Sequence, residues 1–170
     1  MNTTHKLHIF DMDGTILDSM PMWSTIASDY LDSYDIPHDD DVNKLIEAYT
    51  LENAAKYFIE LGLDKAIDDI IKDIYDFSFN RYKNEIPAKP DMAELLKKLH
   101  ETGETIILLS ASPVQCAVAA FKRLNILEYF DKLFSCQDFE TDKTVPETFI
   151  NVAASLGFKP EDAIVYEDAL

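Results

Sequence analysis

Cysteine is nearly absent from this 170-residue chain: it has two, Cys116 and Cys136, and neither has a Cys or His nearby at metal-ligand spacing. That argues against a disulfide framework or a zinc site and leaves two buried thiols as the expectation. Long apolar runs are missing as well. Nothing approaches the ~18–20 residues of a membrane span, and "MNTTHKLHIF" lacks the charged, apolar and small-residue zones of a signal peptide. The default expectation is a cytoplasmic protein with no membrane partner. Positive charge is scarce: 15 basic residues stand against 32 acidic ones, for a net charge of −17. Such a field repels polyphosphate backbones, so nucleic acid is a poor partner. A small anionic substrate needs a metal ion or a well-placed lysine to reverse the potential locally. His5, His8, His38 and His100 show no partner spacing, which leaves them packing or surface roles. There is no internal repeat and no low-complexity tract.

What the chain does contain is apolar residues, at 47% of the total, enough for one sizeable core and a small accessory unit. Residues Lys6–Phe10 are short and apolar and run into an Asp-Met-Asp-Gly turn, which predicts a buried strand followed by a loop. From about Met20 to Tyr82 the apolar spacing becomes three to four, as in "LIEAYTLENAAKYFIELG", and predicts a small helical bundle. Gly62 reads as a helix stop, and "DIPHDDD" at Asp35–Asp41 as a polar turn. "NEIPAKPD" at Asn84–Asp91 reads as the linker out of the bundle. Helix "MAELLKKLH" then precedes strand "TIILLSA", helix "PVQCAVAAFKRLNI" precedes "KLFSCQD", and helix "PETFINVAASLG" precedes "AIVYED". Alternation of this kind implies βαβ units and a parallel sheet. The expectation is an α/β core made of residues 1–19 and 85–170, interrupted by a helical insertion over 20–84.

In open parallel sheets ligands bind beyond the carboxyl ends of the strands. Asp11 and Asp13 follow the first predicted strand, Ser110 ends the second, Lys143 precedes "PETF", and Glu167 and Asp168 follow the last. Carboxylates from neighbouring strands form a hard oxygen cage suited to Mg²⁺, so Asp11 and Asp168 are candidate ligands. With a cation on one side, Asp11 can attack phosphorus and form an aspartyl phosphate. Asp13, two residues along, can give a proton to the leaving oxygen and later take one from water. Gly14 suits a turn with unusual backbone angles. In "SASP", Ser112 is expected as N-cap and Pro113 as first helical residue, so that backbone N–H groups in the Ser110–Pro113 segment, that of Ala111 among them, face an anion. Lys143 can supply full positive charge to a transferring phosphoryl group. Asp18-Ser19 is expected to cap the helix entering the insertion, and Met20, Met22 and Trp23 at its entrance are candidates for core packing or substrate contact.

"FDMDGT", Ser110 in "LLSAS", Lys143 followed by Pro146-Glu147 and Phe149, and "VYED" resemble, in order, the four motifs of the haloacid dehalogenase-like superfamily. The resemblance implies a Rossmann-like core, with the insertion as an α-helical cap of the phosphatase and β-phosphoglucomutase-like group. It implies Asp11 as nucleophile and Asp13 as general acid/base, and it makes Ser110 and Lys143 phosphate ligands. Asp11, Asp168 and the backbone carbonyl of Asp13 become Mg²⁺ ligands, and Glu167 an outer partner of the metal or its water. Dehalogenases lack the second aspartate of the first motif, so Asp13 favours phosphoryl transfer.

A mutase must also grip a second phosphate, and the one cap arginine, Arg81, sits beside the linker. Hydrolysis of a small phosphorylated metabolite is therefore the expected activity. A phosphosugar mutase and a non-catalytic fragment binding phosphate or a protein are the alternatives. Thr144 stands where relatives commonly have proline, and the chain closes at "YEDAL" where similar proteins continue, so the C-terminal part of the core is expected to be missing. A monomer or weak homodimer is expected.

Overall fold

A computed structural model of the chain describes residues 5–139, 143 and 145–168. These divide into two compact units: one comprises the described residues up to Ser19 together with those from Ile86 onward, the other Met20–Glu85.

The first unit is built on a four-stranded sheet in the order β3-β2-β1-β4, every neighbouring pair parallel. Its strands are β1 (Leu7–Phe10), β2 (Thr105–Ser110), β3 (Lys132–Ser135) and β4 (Ala163–Tyr166). All of β1 and all but the first residue of β2 are buried, as a central parallel strand covered on both faces requires. Register pairs Phe10 with Leu108 on one side and with Tyr166 on the other. The carboxyl ends of β1, β2 and β4 therefore lie side by side, and this places the site. One side of the sheet packs Leu7, Ile9, Ile107 and Leu109 against Val152 and Ala153, which belong to helix α8 (Pro146–Ser155). Burying each such aliphatic side chain contributes about 1.5–3 kcal/mol, which offsets the unfavourable burial of the carboxylate just beyond β1. Cys116 and Cys136 are buried, and neither forms a disulfide among the described residues, in line with the reading of the sequence.

The loop after β1 is held by its own backbone. Ile16 and Leu17 N–H both donate to the Met12 carbonyl, and Gly14 N–H donates to Leu17. Gly14 adopts φ +79°, and a Cβ there would collide with the Asp168 carboxylate. Only glycine combines that backbone angle with that space.

The second unit is helical: α1 (Met20–Trp23), α2 (Ile26–Asp32), α3 (Val42–Ile46), α4 (Leu51–Glu60) and α5 (Ile67–Asn84). Thr50 caps α4 by accepting from Asn53 N–H, and Gly62, at φ +111°, follows its end. In α5 the buried residues Ile70, Ile74, Ser78 and Tyr82 recur every fourth position and form one stripe. Beyond this unit lie α6 (Met92–Glu101) and α7 (Val114–Arg123), both in the sheet-bearing unit. No helix among the described residues is long and apolar enough to cross a membrane.

Candidate active site

Asp11 is the first residue after β1, and its backbone N–H donates to the Tyr166 carbonyl at 2.9 Å. That bond draws the ends of β1 and β4 together. Asp11, Glu167 and Asp168 each offer a carboxylate oxygen within 4.8 Å of the others. Lys143 reaches into this group: its Nζ donates to Asp11 Oδ1 and to both Glu167 oxygens, at 3.0 and 3.1 Å. Residues far apart in the sequence thus converge on one rim of the sheet. Glu167, expected as an outer partner, stands within the carboxylate cluster itself.

Burial pushes the Asp11 carboxyl up to about 6, against the pull of the Lys143 ammonium. For Lys143, burial acts against the charged form, but its bonds to Asp11 and Glu167 outweigh it and raise its pKa. The partners differ because Asp11 is only 5% exposed while the lysine side chain retains 16%. Desolvation falls harder on the carboxylate.

The donor set answers whether a divalent cation fits. Three carboxylates against one ammonium leave a formal excess of two negative charges, which one divalent ion cancels. Hard oxygen donors suit Mg²⁺ among the common ions.

Asp13 points into a different environment. Ser19 Oγ donates to its Oδ1 at 2.7 Å and Ser112 Oγ to its Oδ2 at 2.6 Å. Two readings of the sequence are corrected here. Helix α7 takes Pro113, in an extended conformation, as its N-cap. Ser112 therefore lies one residue outside the helix, its hydroxyl bonds Asp13, and its backbone N–H donates to Ser110 Oγ at 3.0 Å. Ser19, expected to cap the helix entering the insertion, instead turns its buried hydroxyl to Asp13. Neither bond has a sequence signature, because each depends on how the loop after β1 curls. Ser110 ends β2 and is buried, and Ala111 beside it is exposed.

Met20 and Trp23 lie in the helical unit. Met20 is exposed. Trp23 donates its indole N–H to the Tyr82 hydroxyl at 3.0 Å and lines a cavity of about 330 Å³ with Tyr30, Asn43, Phe58 and Ile74. Arg81 donates to Asp29 Oδ2 at 2.7 Å and lies over the Phe77 ring.

Residues 8–170 match the family model of the haloacid dehalogenase-like hydrolases. The chain belongs to that family. Among curated relatives it is 23% identical over 162 residues to a phosphorylated carbohydrates phosphatase of Thermotoga maritima, covering 95% of this chain and 75% of the relative. Among solved structures, a Thermotoga maritima protein with a provisional β-phosphoglucomutase name superposes with TM-score 0.80 at 22% identity, covering 94% of this chain and 74% of that one. YfnB of Bacillus subtilis, a protein with a provisional haloacid dehalogenase-hydrolase name, in a structure bound to magnesium, gives TM-score 0.74 at 14% identity over 96% of this chain and 79% of the other. This haloacid dehalogenase-like hydrolase spans about three quarters of the length of these relatives.

Proposed function

We propose that the chain is a Mg²⁺-dependent phosphatase that hydrolyses a small phosphorylated carbohydrate through an aspartyl phosphate on Asp11. The observation that carries the reading is the convergence of Asp11, Glu167, Asp168 and Lys143 at one rim of the sheet, beside a second aspartate held separately by two serines. The family, and the name of the Thermotoga maritima phosphatase relative, supply the substrate class.

Mg²⁺, held by Asp11, Asp168 and the Asp13 backbone carbonyl with Glu167 beside it, would supply positive charge against the phosphoryl oxygens and keep Asp11 ionised. A carboxylate oxygen of Asp11 attacks phosphorus. The bond from phosphorus to the leaving oxygen breaks with its electron pair on that oxygen, and Asp13 delivers a proton to it. Water then attacks the acyl phosphate and gives its proton to Asp13; the bond from phosphorus to Asp11 breaks, and the electron pair returns to the carboxylate. Ser110 and the Ala111 backbone N–H bind the phosphoryl oxygens, and Lys143 balances their spread negative charge.

Arg81 bears on the choice between hydrolysis and a mutase. Its guanidinium is engaged by Asp29 and Phe77, which favours hydrolysis over a reaction that must hold a second phosphate. The test is release of inorganic phosphate from hexose and hexitol phosphates, with Mg²⁺ and with chelator, for the wild type and Asp11→Asn. Phosphate release that needs Mg²⁺ and Asp11 is expected. Turnover by Asp11→Asn equal to wild type would remove the covalent mechanism, and an isomeric sugar phosphate as product would make the chain a mutase.

A further inference from the structure

We propose that Ser19 and Ser112 are positioning residues that together clamp the Asp13 carboxylate in the orientation from which it delivers its proton. The inference rests on the reading of Asp13 as proton donor, and goes beyond it by assigning a role to two residues outside the metal and phosphate set.

A carboxylate held through a single oxygen still swings about its Cβ–Cγ bond. Asp13 is held through both: Ser19 Oγ on Oδ1 at 2.7 Å and Ser112 Oγ on Oδ2 at 2.6 Å. The two anchors come from unrelated parts of the chain, one six positions on and the other 99. A swing of Asp13 in either direction therefore stretches at least one bond. Proton transfer needs the donor within about 2.6–3.2 Å of the receiving atom, and a misplacement of about 1 Å can cost about a hundredfold.

Burial marks Ser19 as more than a loop residue. It is 0% exposed, and a buried hydroxyl without a partner is costly; Asp13 supplies the partner. Ser112 is fixed from its other side as well. Its backbone N–H donates to Ser110 Oγ at 3.0 Å. Ser110 accepts in that bond, so its own proton remains to be donated onward, toward a phosphoryl oxygen. The segment "SAS" thereby joins the phosphate-facing hydroxyl to the anchor of the proton donor through one hydrogen bond. Serine suits both halves of the reaction. Its hydroxyl carries one proton on a free rotor, so it can keep donating to a lone pair of its Asp13 oxygen in both protonation states, leaving the carboxyl O–H free for the leaving oxygen.

The test compares kcat/KM, which reports the first phosphoryl transfer, on phenyl phosphate and 2,4-dinitrophenyl phosphate in Mg²⁺. Phenolate needs a proton to leave and dinitrophenolate does not, so loss of a well-aimed donor depresses only the first. Ser19→Ala and Ser112→Ala are each expected to lower the phenyl rate about tenfold more than the dinitrophenyl rate. Ser112→Thr, which keeps the hydroxyl, should restore the ratio. Asp13→Asn should show the same selectivity more strongly. Equal loss on both substrates, or no loss on either, in the two alanine variants would overturn the positioning role while leaving Asp13 its own. Absence of selectivity in Asp13→Asn would overturn the proton-donor reading beneath it. Ser112 is only partly buried, so Ser112→Ala decides the matter even if Ser19→Ala fails to fold.

Discussion

Each unit of the molecule contains a lysine bonded to an aspartate, and the two pairs do opposite things. In the helical unit Asp73 Oδ2 accepts from Lys65, from Tyr34 at 2.9 Å and from Tyr30 at 3.1 Å. One carboxylate there meets one ammonium and two hydroxyls, so its charge is answered locally, and its pKa falls, the Lys65 bond being the largest cause. In the sheet-bearing unit Lys143 faces Asp11 and Glu167, with Asp168 beside them. Charge there is left over, and burial lifts Asp11 to about 6. The satisfied cluster ties Tyr30 of α2 and Lys65, in the segment before α5, to Asp73 of α5; an unanswered surplus of negative charge around one buried carboxylate is a candidate site.

Removing the lysines sharpens that contrast most. Lys143→Ala is expected to lower kcat about 10²–10³-fold, whereas Lys65→Ala should lower the melting temperature and leave kcat alone. Equal kinetic loss in both variants would erase the distinction. Metal binding is the next largest effect. Mg²⁺ at about a thousand times its Kd stabilises a binding-competent fold by about 4 kcal/mol, a rise of about 8–16 °C in melting temperature for a chain of this size. The rise should vanish in Asp168→Asn and persist in Asp73→Asn, as thermal melts with and without chelator will show.

The smallest effect concerns pH. Without metal, the folded value of about 6 for Asp11 lies above the ordinary 3.8, so the folded state holds that proton more tightly than the unfolded chain. Relative to Asp11→Asn, wild-type stability should therefore fall by roughly 2–3 kcal/mol as pH rises from about 4 to about 6.5. Asp73 runs the other way. Its folded value is lowered, so its contribution is present above the ordinary aspartate range and is lost as pH falls through that folded value. Denaturant midpoints of the wild type and both variants, taken across this range and on down below the ordinary aspartate range, measure the two signs.

The strand-end residues of the site were legible because each sits directly at the end of a strand whose apolar run is plain in the sequence. Asp11 follows "LHIF", Ser110 closes "TIILLS", and Glu167-Asp168 follow "AIVY". Parallel register then carries such residues to a common rim without further instruction. Ser19 and Ser112 were misread as helix caps because residue type before a helix is only a local signal. The extended Pro113 moved the start of α7 one residue on, and the curl from Met12 to Leu17 brought Ser19 back to Asp13. The Asp73 cluster left no trace in the sequence, since its partners are scattered along the chain, Tyr30 in α2, Tyr34 just after it and Lys65 in the segment before α5.

The carboxylate cluster also bears on how the protein is made. Asp11 leaves the ribosome well before Glu167-Asp168, and β4 must dock beside β1 before the two ends share a rim. Pairings between such distant segments form slowly, because their loop closure precedes any reward. A divalent ion that binds only the docked arrangement would act as a latch on β4, and would then also set when the newborn chain becomes protected from proteases.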